Sequence, residues 1–286
     1  MTSESSGKSK EGSNSEYGAG HTSLSYNSYL MVDQLKELQV CKSDPAHHDE
    51  PLFIIIHQTY ELWFKLILHE LDTVVSMMRA NNPRRATFYM RRIVQIMRVL
   101  VNQIHILETM SPKDFLGFRN LLNPASGFQS SQFREVEFMA GLREPRMLEH
   151  FAKDEASFKM LQRRFDDPSL GDVFYELLRT HGFTLPPSTG TESGGGPDPN
   201  QVARINELKK LYDEPDKYLD FHDLAERLLD LDELILLWRT HHVTVVERII
   251  GFKPGTGGSE GVGYLRSTLN KKCFPDLWQL RTYLTL

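Results

Sequence analysis

The sequence predicts an all-α fold, a bundle of long antiparallel helices. In several long segments apolar residues recur at alternating steps of three and four, which is the period of a half-buried helix. Helix-start signals precede these segments, and alternating strand patterns are nearly absent. With 286 residues, 40% hydrophobic and 25% charged, the chain can bury a large core and has the composition of a globular protein.

Composition excludes several classes of function. The net charge of −5 gives no electrostatic basis for binding nucleic acid. The two cysteines, Cys41 and Cys273, are far apart in the sequence, which argues against a disulfide scaffold and favours a cytoplasmic location. No apolar run approaches the roughly 18 residues of a membrane span. The polar residues 1–20 predict a disordered tail, and residues 21–286 are expected to form a single domain.

The first long helix is predicted from Pro51 to about Ala80, with Asp49 as N-cap. Its apolar stripe contains one histidine: Phe53, His57, Tyr60, Phe64, Ile67, Leu71, Val74 and Met78. A second helix is predicted from Asn82-Pro83 to about Met110. Its candidates for burial are Phe88, Val94, Met97, Val101, Ile104 and Leu107.

Shorter elements should follow. Ser111-Pro112 predicts a helix start with Ser111 as cap, opening a short segment that ends near Leu122. A loop is predicted for residues 123–128, and three or four short helices are predicted for residues 131–181. A mobile loop rich in proline, glycine and serine is predicted for residues 185–200. The last long helix is predicted from about Pro215 to Ile250, ending at Gly251. Its stripe is Leu231, Ile235, Trp238, His242, Val245 and Ile249.

His57 and His242 occupy positions in otherwise apolar stripes. Taken singly, each is better explained as a core histidine bonded to a nearby carbonyl. Two such positions on the two most apolar helices favour a shared cofactor site, since bundles build such sites from inward-facing side chains. A glycine-rich loop around Thr256 follows the second of these helices directly, and such loops commonly let backbone approach a ligand.

The type of metal site can be narrowed by elimination. No histidine has a glutamate three residues before it, and HExxH and CxxCH are absent, which argues against di-iron, zincin and covalently attached haem sites. His47 and His48 could contribute to a two-histidine iron site with Asp49 or Glu50, but adjacent residues point in different directions, so an exposed helix lead-in is the better interpretation. Haem b on one histidine remains, and His242 is the better candidate because its neighbours are bulky and apolar. Arg119 is either a surface residue or an anchor for a carboxylate, and the residues alone favour the surface position.

Several ordered motifs resemble the tryptophan 2,3-dioxygenase family over nearly the whole chain from about Ser23. They are residues 26–30 (YNSYL), 45–50 (PAHHDE), 53–63 (FIIIHQTYELW), 117–119 (GFR), 126–130 (SGFQS) and 251–259 (GFKPGTGGS). The resemblance implies a haem b enzyme, with one haem per subunit, that inserts both atoms of O₂ across the indole C2–C3 bond of L-tryptophan. The product would be N-formylkynurenine, the first step of tryptophan degradation by the kynurenine route.

The resemblance also implies roles for individual residues. His242 would be the proximal iron ligand, His57 would be the catalytic histidine that hydrogen-bonds the indole N–H, and Arg119 would clamp the substrate carboxylate with help from Thr256. Ser126 would lie at the haem edge. The substrate pocket would include Phe53, Ile54, Ile55, Ile56, Phe115 and Gly127. The family forms homotetramers, which implies that a neighbouring subunit's pocket receives Tyr26, Tyr29 and Leu30.

Position 115 varies within the family, where a tyrosine hydroxyl can support the carboxylate. Phe115 cannot, so Arg119 and Thr256 would orient the substrate here. Three other functions remain open on the residues alone: a haem monooxygenase or peroxidase-like oxidase, a non-catalytic haem or gas sensor, and a structural helical protein. The last of these leaves the glycine loop and Arg119 unexplained.

Overall fold

The computed structural model describes residues 24–187, 198–255 and 261–285. Leu24–Val40 belongs to one compact unit, and the described residues from Cys41 onward form a second. The first unit contains α1 (Tyr26–Leu30) and α2 (Val32–Lys36), neither of which buries a residue. Ser25 caps α1 by accepting a hydrogen bond from the Ser28 backbone N–H. The predicted disordered tail, residues 1–20, lies outside the described residues.

The second unit is helical, and its described residues contain no strand, which confirms the all-α prediction. Its α-helices are α3 (Glu50–Arg79), α4 (Pro83–Leu107), α5 (Pro112–Arg119), α6 (Ser131–Ala140), α7 (Pro145–Glu149), α8 (Glu155–Asp166), α9 (Leu170–Thr180), α10 (Gln201–Leu208), α11 (Lys210–Asp213), α12 (Leu219–Ile250), α13 (Val262–Ser267) and α14 (Pro275–Leu280). Among the described helices, none has both the length and the apolar character needed to span a bilayer.

The core is built on α3, α4 and α12, with α4 packed against both of the others. The predicted stripes of α3 and α12 are buried except around their histidines. Residues 80–82 join α3 to α4 so closely that the two helices must run antiparallel. The Tyr60 hydroxyl donates to the Leu100 carbonyl at 2.8 Å and joins the two helices inside the core.

Asp49 occupies the predicted N-cap position of α3, although its side chain makes no capping hydrogen bond to the helix. Two other predicted helix ends were wrong. The second helix ends at Leu107 rather than near Met110, because the N–H of Met110 bonds back to Leu107 in a tighter turn before Ser111 caps α5. The last long helix begins at Leu219 rather than Pro215, since residues after Pro215 form a turn.

Other features agree with the sequence. α12 ends at Gly251, whose φ of 60° suits glycine. Four short helices occupy residues 131–180, as predicted. Of the predicted mobile loop, residues 188–197 lie outside the described residues. At the loop's two ends, the Arg179 side chain donates to the Leu185 carbonyl, and Asn200 and Arg204 donate to the Pro187 carbonyl. Helices α1, α2, α10, α11, α13 and α14 had no specific prediction.

Candidate functional site

A cavity of about 310 Å³ lies in the second unit between α3, α5, α6 and α12. Its wall is mainly aromatic and aliphatic, with few polar groups. This composition is typical of a site that orients a ligand by a small number of polar contacts. The predicted site residues that line it are Phe53, Ile56, His57, Phe115, Arg119, Ser126, Gly127 and His242.

His57 faces the cavity from the first half of α3. Its Nδ1 lies 2.7 Å from the carbonyl oxygen of Phe53, one helical turn earlier. Because a carbonyl only accepts, Nδ1 must carry the hydrogen, and in the neutral ring Nε2 is an acceptor. The residue is solvent-exposed, yet surrounding protein atoms lower its pKa by desolvation, opposed by the Phe53 hydrogen bond and by Glu61. At neutral pH His57 is therefore an acceptor.

His242 faces the same cavity from α12. Its ring stacks on Trp238, with centroids 5.1 Å apart and planes 9° apart. Burial, with a smaller contribution from the charge of His57, lowers its pKa to about 4. Among the described residues, no hydrogen-bond partner is found for either ring nitrogen of His242. A neutral imidazole with a free nitrogen in an apolar wall is suited to bind a metal.

In the part of the chain that the structure describes, the cavity lacks the set of side-chain ligands that a metal held by protein alone would need. Over the described ranges, no three His, Cys, Asp or Glu side chains converge to hold an ion. A metal bound at His242 would therefore have one protein ligand, an arrangement that suits iron taking its other ligands from a macrocycle. Tyr60, Phe64, Phe128 and Phe133 supply further apolar wall.

A buried charge cluster in the cavity wall was missed by the sequence analysis. Arg134 and Arg239 both form ion pairs with Glu137, and the exposed fractions of the three side chains are 11%, 6% and 7%. Arg134 Nε is buried without a hydrogen-bond partner. Two guanidinium groups around one carboxylate leave excess positive charge in a poorly solvated wall, which favours an anionic group nearby. In the sequence, the i,i+3 pair Arg134–Glu137 is indistinguishable from a solvated helix face.

Arg119 ends α5 and reaches the cavity rim. One guanidinium nitrogen donates to the carbonyl of Pro254 in the loop after α12. No ion pair in the described part of the chain involves Arg119. Most of its five donors are consequently available to a ligand carboxylate.

Phe53 and Phe115 form an aromatic part of the cavity wall, and Phe118 packs against both rings. The Phe53 ring stacks on that of Phe115 at 5.5 Å and meets the edge of Phe118 at 5.8 Å. Phe118 is completely buried. The Phe115 side chain has no hydroxyl, so this wall offers no hydrogen bond to a carboxylate.

The remaining predicted site residues have different positions. Ser126 and Gly127 line the cavity, and the Ser126 hydroxyl accepts from the Phe128 N–H at 3.4 Å. Ile54 and Ile55 do not line it, because α3 turns them away; Ile55 is 46% exposed. The single chain therefore does not support their assignment to the pocket wall.

Thr256 lies outside the described residues, and its assigned role stays a prediction. Tyr26, Tyr29 and Leu30 are exposed on α1 in the first unit. Their role toward a neighbouring subunit also stays a prediction.

Comparison with known proteins identifies strong similarity along most of the chain. The family model described as tryptophan 2,3-dioxygenase matches residues 8–184 and 204–284. A protein of that name from Herpetosiphon aurantiacus is 46% identical over 258 residues, covering 90% of this chain and 97% of the relative. A protein of the same name from Nocardioides sp. is 42% identical and covers 94% of this chain and 97% of the relative. Another from Myxococcus xanthus is 40% identical and covers 93% of this chain and 91% of the relative.

Proposed function

The chain belongs to the tryptophan 2,3-dioxygenase family, and we propose that it performs that reaction in the cavity between α3 and α12. It oxidises L-tryptophan with O₂ to N-formylkynurenine, adding both oxygen atoms across the indole C2–C3 bond. The observation that carries the assignment is the pair of neutral histidines, His57 and His242, facing one apolar cavity with Arg119 at its rim.

Haem b fits the residues present. His242 would hold the haem iron, since its ring is neutral and its nitrogens have no partner among the described residues. Arg134 and Arg239 would face the propionates, whose negative charge would offset the excess positive charge beside Glu137. When bound, the haem iron supplies the activation of O₂. Ser126 at the cavity wall is the proposed polar neighbour of the haem edge.

His57 positions the indole. Its Nε2 is the acceptor left after Nδ1 bonds to Phe53, and it would receive the indole N–H. The lowered pKa of His57 makes its neutral form a weak base, while an indole N–H is a weak acid. Hydrogen bonding that fixes the C2–C3 edge is therefore favoured over removal of the proton.

Arg119 selects for an amino acid. Its planar guanidinium can bind the substrate carboxylate through two parallel hydrogen bonds. Phe115 adds no hydroxyl, so this interaction falls to Arg119 and the following loop, in which Thr256 is the proposed partner. The indole would lie against Phe53 and Phe115, whose stacked rings form the apolar wall.

We also propose a homotetramer in the cytoplasm. The aromatic and aliphatic side chains of α1, Tyr26, Tyr29 and Leu30, are exposed, and their burial in a second subunit would remove apolar surface from water. Further apolar side chains on the outer faces of α3 and α4 offer additional contact surface: Ile55, Leu62, Val99 and Ile106. Cys41 and Cys273 are both free thiols, which agrees with a reducing compartment.

The decisive experiment supplies ¹⁸O₂ and L-tryptophan to the haemin-loaded protein and weighs the product. Two labelled atoms from one O₂ molecule support dioxygenation. One labelled atom would indicate a monooxygenase, and no product despite oxygen binding would indicate a sensor. The His242→Ala variant should lose haem, and an unchanged Soret spectrum in that variant would contradict its assignment as ligand.

A further inference from the structure

We propose that His47 is a positioning residue for the carboxylate clamp. Its imidazole occupies the space beside Gly117 and fixes the position of α5, and through it the guanidinium of Arg119. The inference rests on the proposed function, because it concerns how tightly the tryptophan carboxylate is held. His47 itself lies outside the cavity wall described above.

The backbone around His47 is fixed by a buried carboxylate. Glu50 is 1% exposed and accepts hydrogen bonds from the N–H groups of Lys42 and Ser43, at 2.6 and 3.0 Å. The Ser43 hydroxyl donates to Glu50 and accepts from the His47 N–H at 2.7 Å. These hydrogen bonds fix the backbone of the segment before α3, because moving it would leave the buried Glu50 carboxylate without its partners.

The ring of His47 is oriented as well. Its Nδ1 accepts a hydrogen bond from the Asp49 N–H at 3.2 Å. Its ring packs against Phe118 with centroids 5.4 Å apart and planes tilted by 48°, and Phe118 is completely buried. These two contacts leave the Cδ2–Nε2 edge directed at Gly117.

The contact with Gly117 leaves no room for a side chain. A Cβ at this position would lie 2.9 Å from both Cδ2 and Nε2 of His47, closer than carbon atoms tolerate without displacement. Gly117 lies in the interior of an eight-residue helix, where alanine would otherwise be the more favourable residue. Close approach of the imidazole is the physical reason for glycine here.

This contact bears on Arg119 because both residues belong to α5, two positions apart. If the ring is removed, α5 loses its support on that side. If a methyl group is added at position 117, α5 must move away from the ring. Either displacement shifts the guanidinium relative to the cavity, and two-point recognition of a carboxylate is sensitive to shifts of this size.

The test is a double-mutant cycle in the haem-loaded full chain, with His47→Ala, Gly117→Ala and the double variant. The dissociation constant for L-tryptophan is measured by optical titration, together with KM and kcat. We expect Gly117→Ala to weaken tryptophan binding about tenfold in the wild-type background and less than about threefold in the His47→Ala background, because the methyl group then meets no ring. KM should rise while kcat changes little.

Two controls separate positioning from general packing. Tryptamine, which lacks the carboxylate, should bind the three variants as it binds the wild type. His47→Phe, which keeps a ring beside Gly117, should restore most of the affinity lost in His47→Ala. His48→Ala is the matched neighbour, since the His48 side chain is 98% exposed, and it should change nothing.

Several results would overturn the inference. Equal effects of Gly117→Ala in both backgrounds would show that the imidazole is not what the methyl group meets. Equal weakening of tryptamine and tryptophan binding would show that the carboxylate clamp is not the affected part. If the wild-type protein neither binds nor oxidises tryptophan, the proposed function fails and the positioning role fails with it. Thermal unfolding of the same four proteins would then still report independently on the His47–Gly117 contact.

Discussion

Replacing Glu137 by glutamine should reveal how much the cavity wall depends on charge balance. The substitution preserves volume but leaves Arg134 and Arg239 without their shared counter-ion, although both side chains are about nine-tenths buried. Breaking a buried ion pair by removing one partner costs roughly 3–5 kcal/mol. We expect about 3 kcal/mol in the free energy of unfolding, near the lower end of that range, because the amide oxygen still accepts one hydrogen bond.

Urea unfolding of the haem-free and haem-loaded proteins measures this loss. If the propionates approach the two arginines, the haem-loaded variant should lose clearly less stability than the haem-free variant, since the bound anion takes over part of the role of Glu137. The control is Glu247→Gln, whose pair with Arg266 is half-exposed and should contribute at most about 1 kcal/mol. A haem-free loss no larger than this control, or equal losses with and without haem, would refute the reasoning.

Three further predictions concern the site and its support. Arg119→Lys should raise the KM for L-tryptophan about tenfold while leaving tryptamine binding unchanged, because lysine cannot form the two-point contact; steady-state kinetics and titration with both compounds would expose a contrary result. His57→Ser should retain haem and measurable turnover, whereas complete loss of turnover with intact tryptophan binding would identify an obligatory base. Hydrogen bonds from Lys42 and Ser43 outweigh the burial that opposes ionisation and lower the pKa of Glu50 below 4.5. This stabilisation is present above the unfolded-state pKa and is lost as the pH falls through the folded-state pKa. The free energy of unfolding, measured between about pH 6 and 3, should therefore depend less on pH in Glu50→Gln than in the wild type.

The long helices were predictable because periodic burial leaves a periodic sequence. Tyr60, Leu71 and Ile235 lie at stripe positions and are buried as the pattern requires. The turn after Pro215 was not predictable, since proline fits the first turn of a helix equally well. Its outcome depends on the Lys217 and Tyr218 N–H groups bonding back to Glu214, a local competition that leaves no periodic signal.

The charged parts of the site show a different limit. Glu50, Glu137 and Arg239 are almost completely buried, but each lies in a stretch whose polar residues are expected to be solvated. The burial of Glu137 and Arg239 depends on a partner distant in sequence, since the two residues are 102 positions apart. A single sequence contains no local pattern for such a pair, because either residue alone would be costly to bury and only the folded arrangement removes that cost.

The two histidines show why sequence periodicity can locate a site without assigning a separate role to each of its residues. Each has an aromatic residue one helical turn earlier, Phe53 before His57 and Trp238 before His242, so the local patterns match. In the fold, His57 directs Nδ1 to the Phe53 carbonyl, while His242 lies flat on the Trp238 ring with a pKa lowered to about 4. The first arrangement leaves one oriented acceptor, suited to an N–H donor. The second leaves a neutral ring without a competing partner among the described residues, which is suited to a metal. This difference in side-chain geometry is the basis for proposing that His57 positions the substrate and that His242 binds the metal.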